Sequence, residues 1–314
     1  MKVVMYHYVR EGVEGLPHFC YLSFANFKKQ LDFFEKNYGL VSFEEFCGLK
    51  DEPGLIRRLK NKILLTFDDG LREHFELVFP ELLRRKAVGI FFMPTLVLER
   101  QRPLAVHTIH YLVGKYGGGG GKLLALAQKL IKPDMLESER EFLFADYYDL
   151  LDDDEGVKKF KLLLNYNIKE EFKDEILAAL IAECDLTEAQ IYENYYLGRD
   201  ELETMHENKM LIASHAHAHI NFLNLDAHEE AHQTRKSFEI LESFLDLRLR
   251  LFCYPYGEFT RHSKAILQGL GVDFAFVSLD EYKKDLDAQD LRLNPLTLAR
   301  YDCNAFPFGK VSRG

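Results

Sequence analysis

Long apolar runs and an excess of basic residues are both missing from this 314-residue sequence. No run approaches the roughly 20 apolar residues that a transmembrane helix needs, which excludes an integral membrane protein of that kind. Lysine and arginine number 40 against 50 aspartates and glutamates, so the net charge is −10. Because nucleic-acid binding normally needs a basic face, we expect no nucleic-acid partner.

Closely spaced cysteine pairs and a leader segment are missing as well. The five cysteines are odd in number, widely separated and without a Cys-x-x-Cys pair, which predicts free thiols in a reducing compartment. The first nine residues contain neither a long apolar segment nor a small-residue cleavage site. We therefore expect no signal peptide and a cytoplasmic location.

The sequence that is present has the composition of a folded chain. Hydrophobic residues make up 47%, and the 25 phenylalanines and 16 tyrosines argue against disorder. Short apolar runs alternate with amphipathic stretches, which indicates an α/β fold with a mostly parallel sheet. In chain order the predicted elements are helix 24–38, strand 39–42, strand 62–67, helix 71–86, strand 88–94, strand 211–214, strand 251–254 and strand 274–277.

The middle of the chain differs in character. Residues 104–196 are rich in helical patterns and carry a run of five glycines at 117–121. Residues 101–200 contain 19 acidic and 12 basic residues, so most of the excess negative charge is local. We predict an α/β barrel formed by 1–103 and 197–314, with 104–196 as a helical insertion that serves as a lid or as a homo-oligomer contact.

Two adjacent carboxylates, Asp68 and Asp69, follow the predicted strand 62–67 directly. Ligands and catalytic groups of α/β folds lie at the carboxyl ends of strands, so one acid can bind a metal while the other acts as a base. The alternative is a structural turn, because Asp-Asp-Gly is a common turn sequence.

Three histidines follow strand 211–214 at alternate positions. If this segment forms a helical turn, His215 and His219 lie on one face and can share a cation, while His217 points elsewhere. The alternative is that these histidines are structural. Together with Asp69, the pair makes a carboxylate and two-histidine set that suits Zn²⁺ and other divalent metals.

Other motifs compete for the functional site. His228-Glu229-Glu230-Ala231-His232 matches the HExxH pattern of zinc proteases, but Asp226 is a predicted N-cap and the following apolar spacing is typical of an amphipathic surface helix. Gly121-Lys122 resembles the end of a P-loop, yet Leu123 replaces the serine or threonine and Tyr116 stands where the first glycine belongs. His107 and His110 are predicted to share a helix face.

The ordered set of motifs resembles the polysaccharide deacetylase family (NodB homology, carbohydrate esterase family 4). The resemblance covers residues 1–100 and 197–310. Its motifs are TFDDG at 66–70, His215-x-x-x-His219, and the Tyr254-Pro255-Tyr256-Gly257 turn after a strand. The Met5-Tyr6-His7 opening is similar to the branch that acts on poly-N-acetylglucosamine.

The resemblance implies a distorted (β/α)7-type barrel that hydrolyses an N-acyl group from an amino sugar. It implies one divalent metal, zinc first and Co, Ni, Mn or Fe as alternatives, held by Asp69, His215 and His219. It also implies that Asp68 is the general base, that His7 is the general acid, and that Tyr254 and Tyr256 line the substrate and oxyanion site.

Two features depart from the family pattern. No histidine follows His262, so the late histidine of many relatives is missing, and His7 takes its place unless it is a buried strand histidine. The usual arginine of the third motif is also missing, because Cys253 and Tyr254 precede Pro255. Arg300 is a candidate to orient Asp68; the alternative is a solvated surface arginine.

These expectations define one function and two alternatives. We predict a metal-dependent deacetylase of an amino-sugar glycan or of its lipid- or nucleotide-linked precursor. The first alternative is a deformylase or another C–N hydrolase on the same barrel. The second is a carbohydrate-binding relative without catalysis, against which the complete base and metal set argues.

Overall fold

The computed structural model describes residues 1–118, 121–137, 153–193, 195–278 and 284–313. The chain divides into two compact units. The first contains Met1–Glu11, Leu22–Arg100 and Tyr195–Val311, and the second contains Gly12–Tyr21, Gln101–Asn194 and Ser312–Gly314. The boundaries expected from the sequence, at 103/104 and 196/197, stay a prediction about domains.

The described residues contain eleven strands, numbered here in chain order. Their bounds are β1 Lys2–Tyr6, β2 Val9–Arg10, β3 Cys20–Ser23, β4 Ile63–Phe67, β5 Gly89–Met93, β6 Leu211–Ser214, β7 Leu251–Cys253, β8 Phe274–Val277, β9 Leu298–Ala299, β10 Tyr301–Asp302 and β11 Ser312–Arg313. Eight of them form one sheet in the order β10-β1-β4-β5-β6-β7-β8-β9. All neighbouring pairs in this sheet are parallel.

The two ends of this sheet belong to one stretch of chain. Strands β9 and β10 are separated by Arg300 alone; β9 pairs with β8, and β10 pairs with β1. They are therefore two halves of a single closing strand with a break at Arg300. Counted this way the first unit is a nearly closed, seven-stranded barrel, and the predicted distorted (β/α)7-type fold is confirmed.

Helices surround the barrel strands of the first unit. Their bounds are Phe24–Asn37, Phe43–Asp51, Phe79–Arg85, Leu96–Glu99, Arg199–Glu207, Ala227–Glu242, Ser263–Gly269 and Ala288–Leu293. Ser42 and Glu45 form a reciprocal capping box at the start of helix Phe43–Asp51. Strands β4 and β5 are buried at every position, as strands covered on both faces must be.

The second unit has a helical core of its own. Its helices are Ala105–Tyr116, Gly121–Leu130, Glu155–Leu162, Glu170–Glu183 and Glu188–Tyr192. Phe160, Leu164 and Leu180 are fully buried in its hydrophobic cluster. Of the glycine run at 117–121, residues 119–120 lie outside the described residues. Among the helices that the structure describes, none has the length and apolar character to span a membrane.

Two predicted elements differ from the structure. The strand expected at 39–42 is reduced to a single bridge between Leu40 and Ile63, because Ser42 already caps the next helix. The helix expected at 71–86 is not uniform: a π-helical turn over His74–Val78 precedes the regular helix Phe79–Arg85. Such a turn inserts an extra residue and changes which side chains face the barrel.

Gln30 links three parts of the first unit. Its side chain is fully buried, and its amide nitrogen donates to the carbonyl oxygens of Cys303 (3.1 Å) and Pro307 (2.9 Å). Its amide oxygen accepts from the hydroxyl of Tyr6 at 2.5 Å. One side chain thus joins helix Phe24–Asn37, strand β1 and the chain that follows the closing strand.

We predict that Gln30→Leu lowers the free energy of unfolding by about 2–4 kcal/mol, because buried polar groups lose their partners at similar side-chain volume. Urea unfolding followed by circular dichroism measures the change. The exposed neighbour Lys29 gives the control, since Lys29→Ala should shift stability by less than about 0.5 kcal/mol. Equal effects of the two substitutions would contradict the assigned role.

Candidate functional site

The carboxyl ends of three barrel strands bring the predicted residues together. His7 follows β1, Asp68 and Asp69 follow β4, and His215 follows β6. In a parallel barrel these ends share one mouth, so residues far apart in sequence become neighbours.

Asp69, His215 and His219, called here the metal triad, converge on one point. The Oδ1 atom of Asp69 lies 3.3 Å from Nε2 of His219 and 3.6 Å from Nε2 of His215, and all three side chains are buried. A tetrahedral zinc with bonds of about 2.0–2.1 Å places neighbouring ligand atoms about 3.3–3.4 Å apart. The donor set and its spacing therefore fit one divalent cation.

His215 is held in the form that binds a metal. Its Nδ1–H donates to the carbonyl oxygen of Cys253 at 2.8 Å, which leaves the lone pair of Nε2 directed at Asp69. Burial lowers the pKa of His215, so the ring is neutral at ordinary pH. A neutral imidazole with its second nitrogen hydrogen-bonded is the usual ligand state of histidine.

The segment 215–219, called here the ligand loop, is not the helical turn that the sequence suggested. Ala216 (φ 58°) and His219 (φ 54°) adopt left-handed backbone conformations, and so does Asp69 (φ 78°). Non-glycine residues seldom occupy this region, and such residues concentrate at functional sites. Two left-handed residues turn the loop back on itself and bring His219 beside His215.

His217 points away from the metal triad, as predicted. Its Nδ1 lies 2.9 Å from the hydroxyl of Thr95, and its Nε2 lies 3.6 Å from a carboxylate oxygen of Glu99. The backbone N–H of Leu96 also donates to the His217 carbonyl. His217 therefore anchors the ligand loop to the chain that follows β5.

Asp68 forms a buried ion pair with Arg300. Nη1 and Nη2 of Arg300 donate to the two carboxylate oxygens at 2.7 and 2.8 Å, and Nη1 also donates to the hydroxyl of Thr66 at 3.2 Å. Burial alone would raise the pKa of Asp68, but the charge and hydrogen bonds of Arg300 lower it below its usual value. Arg300 is 2% exposed, which excludes a solvated surface arginine.

A second group of possible metal ligands, Asp68, His215 and Cys253, overlaps the first. Here Arg300 occupies the space, since its Nη2 lies 3.0 Å from the sulfur of Cys253 and holds both oxygens of Asp68. Burial also raises the pKa of the Cys253 thiol well above its usual value, so the sulfur stays protonated. A cation therefore fits the metal triad better than this group.

His7 stands next to Asp68 at the mouth of the barrel. Its Nε2 lies 3.7 Å from Oδ2 of Asp68, and its side chain is 40% exposed. It is therefore not a buried strand histidine. The ring is open to solvent on one side and faces the Asp68 carboxylate on the other.

The two tyrosines of the third motif have different surroundings. Tyr254 is buried, and its hydroxyl donates to the carbonyl oxygen of Leu296 at 3.0 Å. Tyr256 has a left-handed backbone (φ 59°), and its ring centre lies 5.1 Å from that of His219. Tyr256 therefore lies beside the metal triad, whereas the hydroxyl of Tyr254 is hydrogen-bonded to the backbone of Leu296.

The competing motifs have structural positions. The HExxH pattern lies at the start of helix Ala227–Glu242, where Asp226 accepts from two backbone N–H groups as the predicted N-cap. His228 and His232 are exposed, and neither belongs to a group with metal-binding geometry among the described residues. Gly121 begins a regular helix, and His107 and His110 lie on helix Ala105–Tyr116.

Several residues of the site were missed from the sequence. His74 is fully buried and hydrogen-bonds to the backbone of His7 at 2.9 Å. Tyr195 donates to the hydroxyl of Tyr8 at 2.9 Å, and Cys253 contacts both Asp68 and Arg300. His74 sits inside an amphipathic helical pattern and Tyr195 at the edge of the expected insertion, so no local signal marks either.

Known proteins resemble the chain in sequence and in structure. The polysaccharide deacetylase family matches residues 156–275, a range that contains His215, His219 and the Tyr254–Gly257 motif. No curated protein matches. Similar solved structures include the Streptococcus pyogenes deacetylase PplD in complex with acetate, with 13% identity, 96% of this chain and 91% of that chain covered, and a TM-score of 0.57.

Two further structures share the fold over nearly the whole chain. IcaB from Ammonifex degensii is 16% identical, with 95% of this chain and 89% of that chain covered and a TM-score of 0.55. A de-N-acetylase from Aggregatibacter actinomycetemcomitans is 13% identical, with 95% and 93% covered and a TM-score of 0.52. At these identities the likeness concerns the fold.

We predict that the purified protein binds one zinc ion per chain and that His219→Ala weakens this binding at least about a hundredfold, because one of three protein ligands is lost. Competition with a zinc-binding dye measures the affinity. The matched control is the double substitution His228→Ala and His232→Ala, which should leave the affinity unchanged. Loss of zinc in the control alone would move the metal site to the HExxH motif.

Proposed function

We propose that the chain, whose residues 156–275 match the polysaccharide deacetylase family, is a metal-dependent hydrolase that removes an acetyl group from an amino sugar. The family match agrees with the enzyme class expected from the sequence, a hydrolase of C–N bonds other than peptide bonds. The observation that carries the proposal is the Asp68–Arg300 pair beside the metal triad.

The metal triad supplies one carboxylate and two imidazoles, a donor set that suits zinc. Co, Ni, Mn and Fe are the alternatives. When bound, such a metal lowers the pKa of a water molecule and polarises the amide carbonyl. The role of Asp69, His215 and His219 is to hold the cation at the barrel mouth, one residue along the chain from the proposed base.

Asp68 is the proposed general base. Arg300 holds both of its oxygens, so the carboxylate stays ionised and its orientation is fixed by two hydrogen bonds. Asp68 accepts a proton from the attacking water as the new C–O bond forms. A base held in place before the reaction lowers the cost of reaching the reactive geometry.

His7 is the proposed general acid. It donates a proton to the amine nitrogen as the C–N bond breaks, so that acetate and a free amino sugar leave. In this proposal the backbone N–H at the left-handed turn of Tyr256, whose ring lies beside His219, stabilises the developing oxyanion. The proposed acid and base are neighbours at the barrel mouth, with 3.7 Å between Nε2 of His7 and Oδ2 of Asp68.

The substrate that we propose is an amino-sugar glycan or its lipid- or nucleotide-linked precursor. A deformylase or related C–N hydrolase uses the same residues on a smaller acyl group. A carbohydrate-binding relative without catalysis has no need of a buried base next to a metal triad. The cytoplasmic location, the homo-oligomer and the lid role of 104–196 stay predictions.

Asp68→Asn is expected to lower kcat on an N-acetylglucosamine oligosaccharide by about 10²–10⁴-fold while zinc content is retained, because an amide cannot accept the proton. Release of acetate is measured, and release of formate from the N-formyl analogue is measured in parallel. Preference of the wild type for the formyl substrate would favour the deformylase. Unchanged turnover in the variant would contradict the mechanism.

Arg300→Lys should lower kcat about ten- to a hundredfold with KM and zinc content nearly unchanged, since lysine cannot make the two parallel hydrogen bonds that orient Asp68. The exposed Arg292 provides the control, and Arg292→Lys should leave kcat at the wild-type value. An unchanged kcat in the Arg300 variant would remove Arg300 from the mechanism.

His7→Ala should retain zinc but lose most turnover of the amide substrate, because the amine then leaves without a proton donor. The control is His262→Ala, an exposed histidine in the same unit. Turnover near the wild-type level in the His7 variant would require another acid.

A further inference from the structure

His7 lies in the short segment between β1 and β2. Hydrogen bonds with neighbouring side chains hold the chain here at His7 and at Arg10. The imidazole of His7 is 40% exposed, and its Nε2 lies 3.7 Å from Oδ2 of Asp68. A proton donor must nevertheless stay within a fraction of an ångström of its reactive position. The contacts that hold the backbone of residues 7–10 therefore bear on the chemistry.

His74 holds the backbone of His7. The Nε2–H of His74 donates to the carbonyl oxygen of His7 at 2.9 Å, from a side chain that is fully buried. The His74 ring packs edge-on against Phe67, with 5.5 Å between ring centres, and tilted against Phe91. Strands β4 and β5 thus supply an apolar slot that fixes the donor.

The protonation state of His74 follows from the same contacts. Burial lowers its pKa, so the ring is neutral and carries a single proton. A carbonyl oxygen can only accept, which places that proton on Nε2. The buried Nδ1 has no hydrogen-bond partner among the described residues. The bond from Nε2 to the His7 carbonyl is therefore the one hydrogen bond that the ring makes there.

Glu73, the preceding residue, holds the other end of the segment. It accepts from Nε of Arg10 at 2.6 Å, and both side chains are largely buried. The guanidinium of Arg10 lies over the rings of both Tyr8 and Tyr195, 5.0 Å from each centre. Glu73 and His74, consecutive residues at the start of the π-helical turn, therefore hydrogen-bond to Arg10 and His7, respectively.

We propose that His74 is a positioning residue for His7: it fixes the backbone from which the proton donor reaches the cleft, and Glu73 supports it through Arg10. This inference rests on the proposed role of His7 as general acid. The class of substrate is that of the proposed function, an N-acetylated amino sugar whose amine must be protonated to leave. His74 touches neither substrate nor metal in this role.

Two variants separate positioning from mere packing. His74→Phe keeps an aromatic ring in the apolar slot and removes the donor, whereas His74→Gln keeps an N–H at nearly the same reach. We expect His74→Phe to lower kcat on the N-acetylglucosamine oligosaccharide about ten- to a hundredfold, with zinc content and melting temperature close to the wild type. His74→Gln should restore most of the loss.

A second substrate reports on the acid alone. The phenolate of p-nitrophenyl acetate leaves without protonation, so its hydrolysis should change less than threefold in His74→Phe. In the His7→Ala background, His74→Phe should cause no further loss on the amide, because two residues that act as a unit are not additive. If His74 had a purely structural role, His74→Phe would instead lower turnover of both substrates, and its effect would add to that of His7→Ala.

The outcomes distinguish this inference from the proposed function. Suppose that His7→Ala lowers amide turnover. If His74→Phe alone then leaves amide turnover unchanged, or if its loss adds fully to the His7→Ala loss in the double variant, His74 is not a positioning residue and the proposed function stands. If His7→Ala itself leaves amide turnover unchanged, the acid assignment and the role of His74 both fall. If His74→Phe unfolds the protein, additive loss in His74→Gln with His7→Ala would overturn the inference, and non-additive loss would support it.

Discussion

The buried pair between Asp68 and Arg300 is the constraint on which the site depends. Removing two charges from water is costly, and only the complete set of hydrogen bonds offsets that cost; losing one partner of such a pair typically costs about 3–5 kcal/mol. Arg300 stands at the break between β9 and β10, and its guanidinium reaches Asp68 after β4 and Cys253 at the end of β7. Closure of the barrel and orientation of the carboxylate are therefore one interaction.

Two neighbouring carboxylates are given different tasks by their surroundings. Asp68 faces a permanent cation, which keeps it ionised and immobile. Asp69 turns the other way through a left-handed backbone and faces two imidazoles. Asp68 is paired with a positive charge of the protein, whereas Asp69 belongs to the group that we propose holds a cation. The two carboxylates are adjacent in sequence, and the left-handed backbone at Asp69 is enough to give them different surroundings.

The sequence predicted what depends on local pattern and missed what depends on tertiary pairing. Strands at 211–214 and 274–277 were placed at their observed bounds, and Asp69, His215 and His219, which follow two of the predicted strands, were assigned to one cation site. The form of the ligand loop was not predictable, since left-handed backbone at His219 has no residue signature. Arg300 was named as a candidate to orient Asp68, with a surface arginine as the alternative, and His74 was not named: their partners lie more than 60 residues away, and only the closed barrel brings them together.

The closing strand also sets an order of events during synthesis of the chain. Val4 and Met5 of β1 pair with Tyr301 and Asp302 of β10. This edge of β1 is therefore covered only after the closing strand has been synthesised. Contacts of such sequence separation form late and slowly. A nascent chain without the closing strand contains Asp69, His215 and His219 but lacks Arg300, the partner of Asp68. Under the proposed mechanism, the orientation of the general base therefore depends on the closing strand.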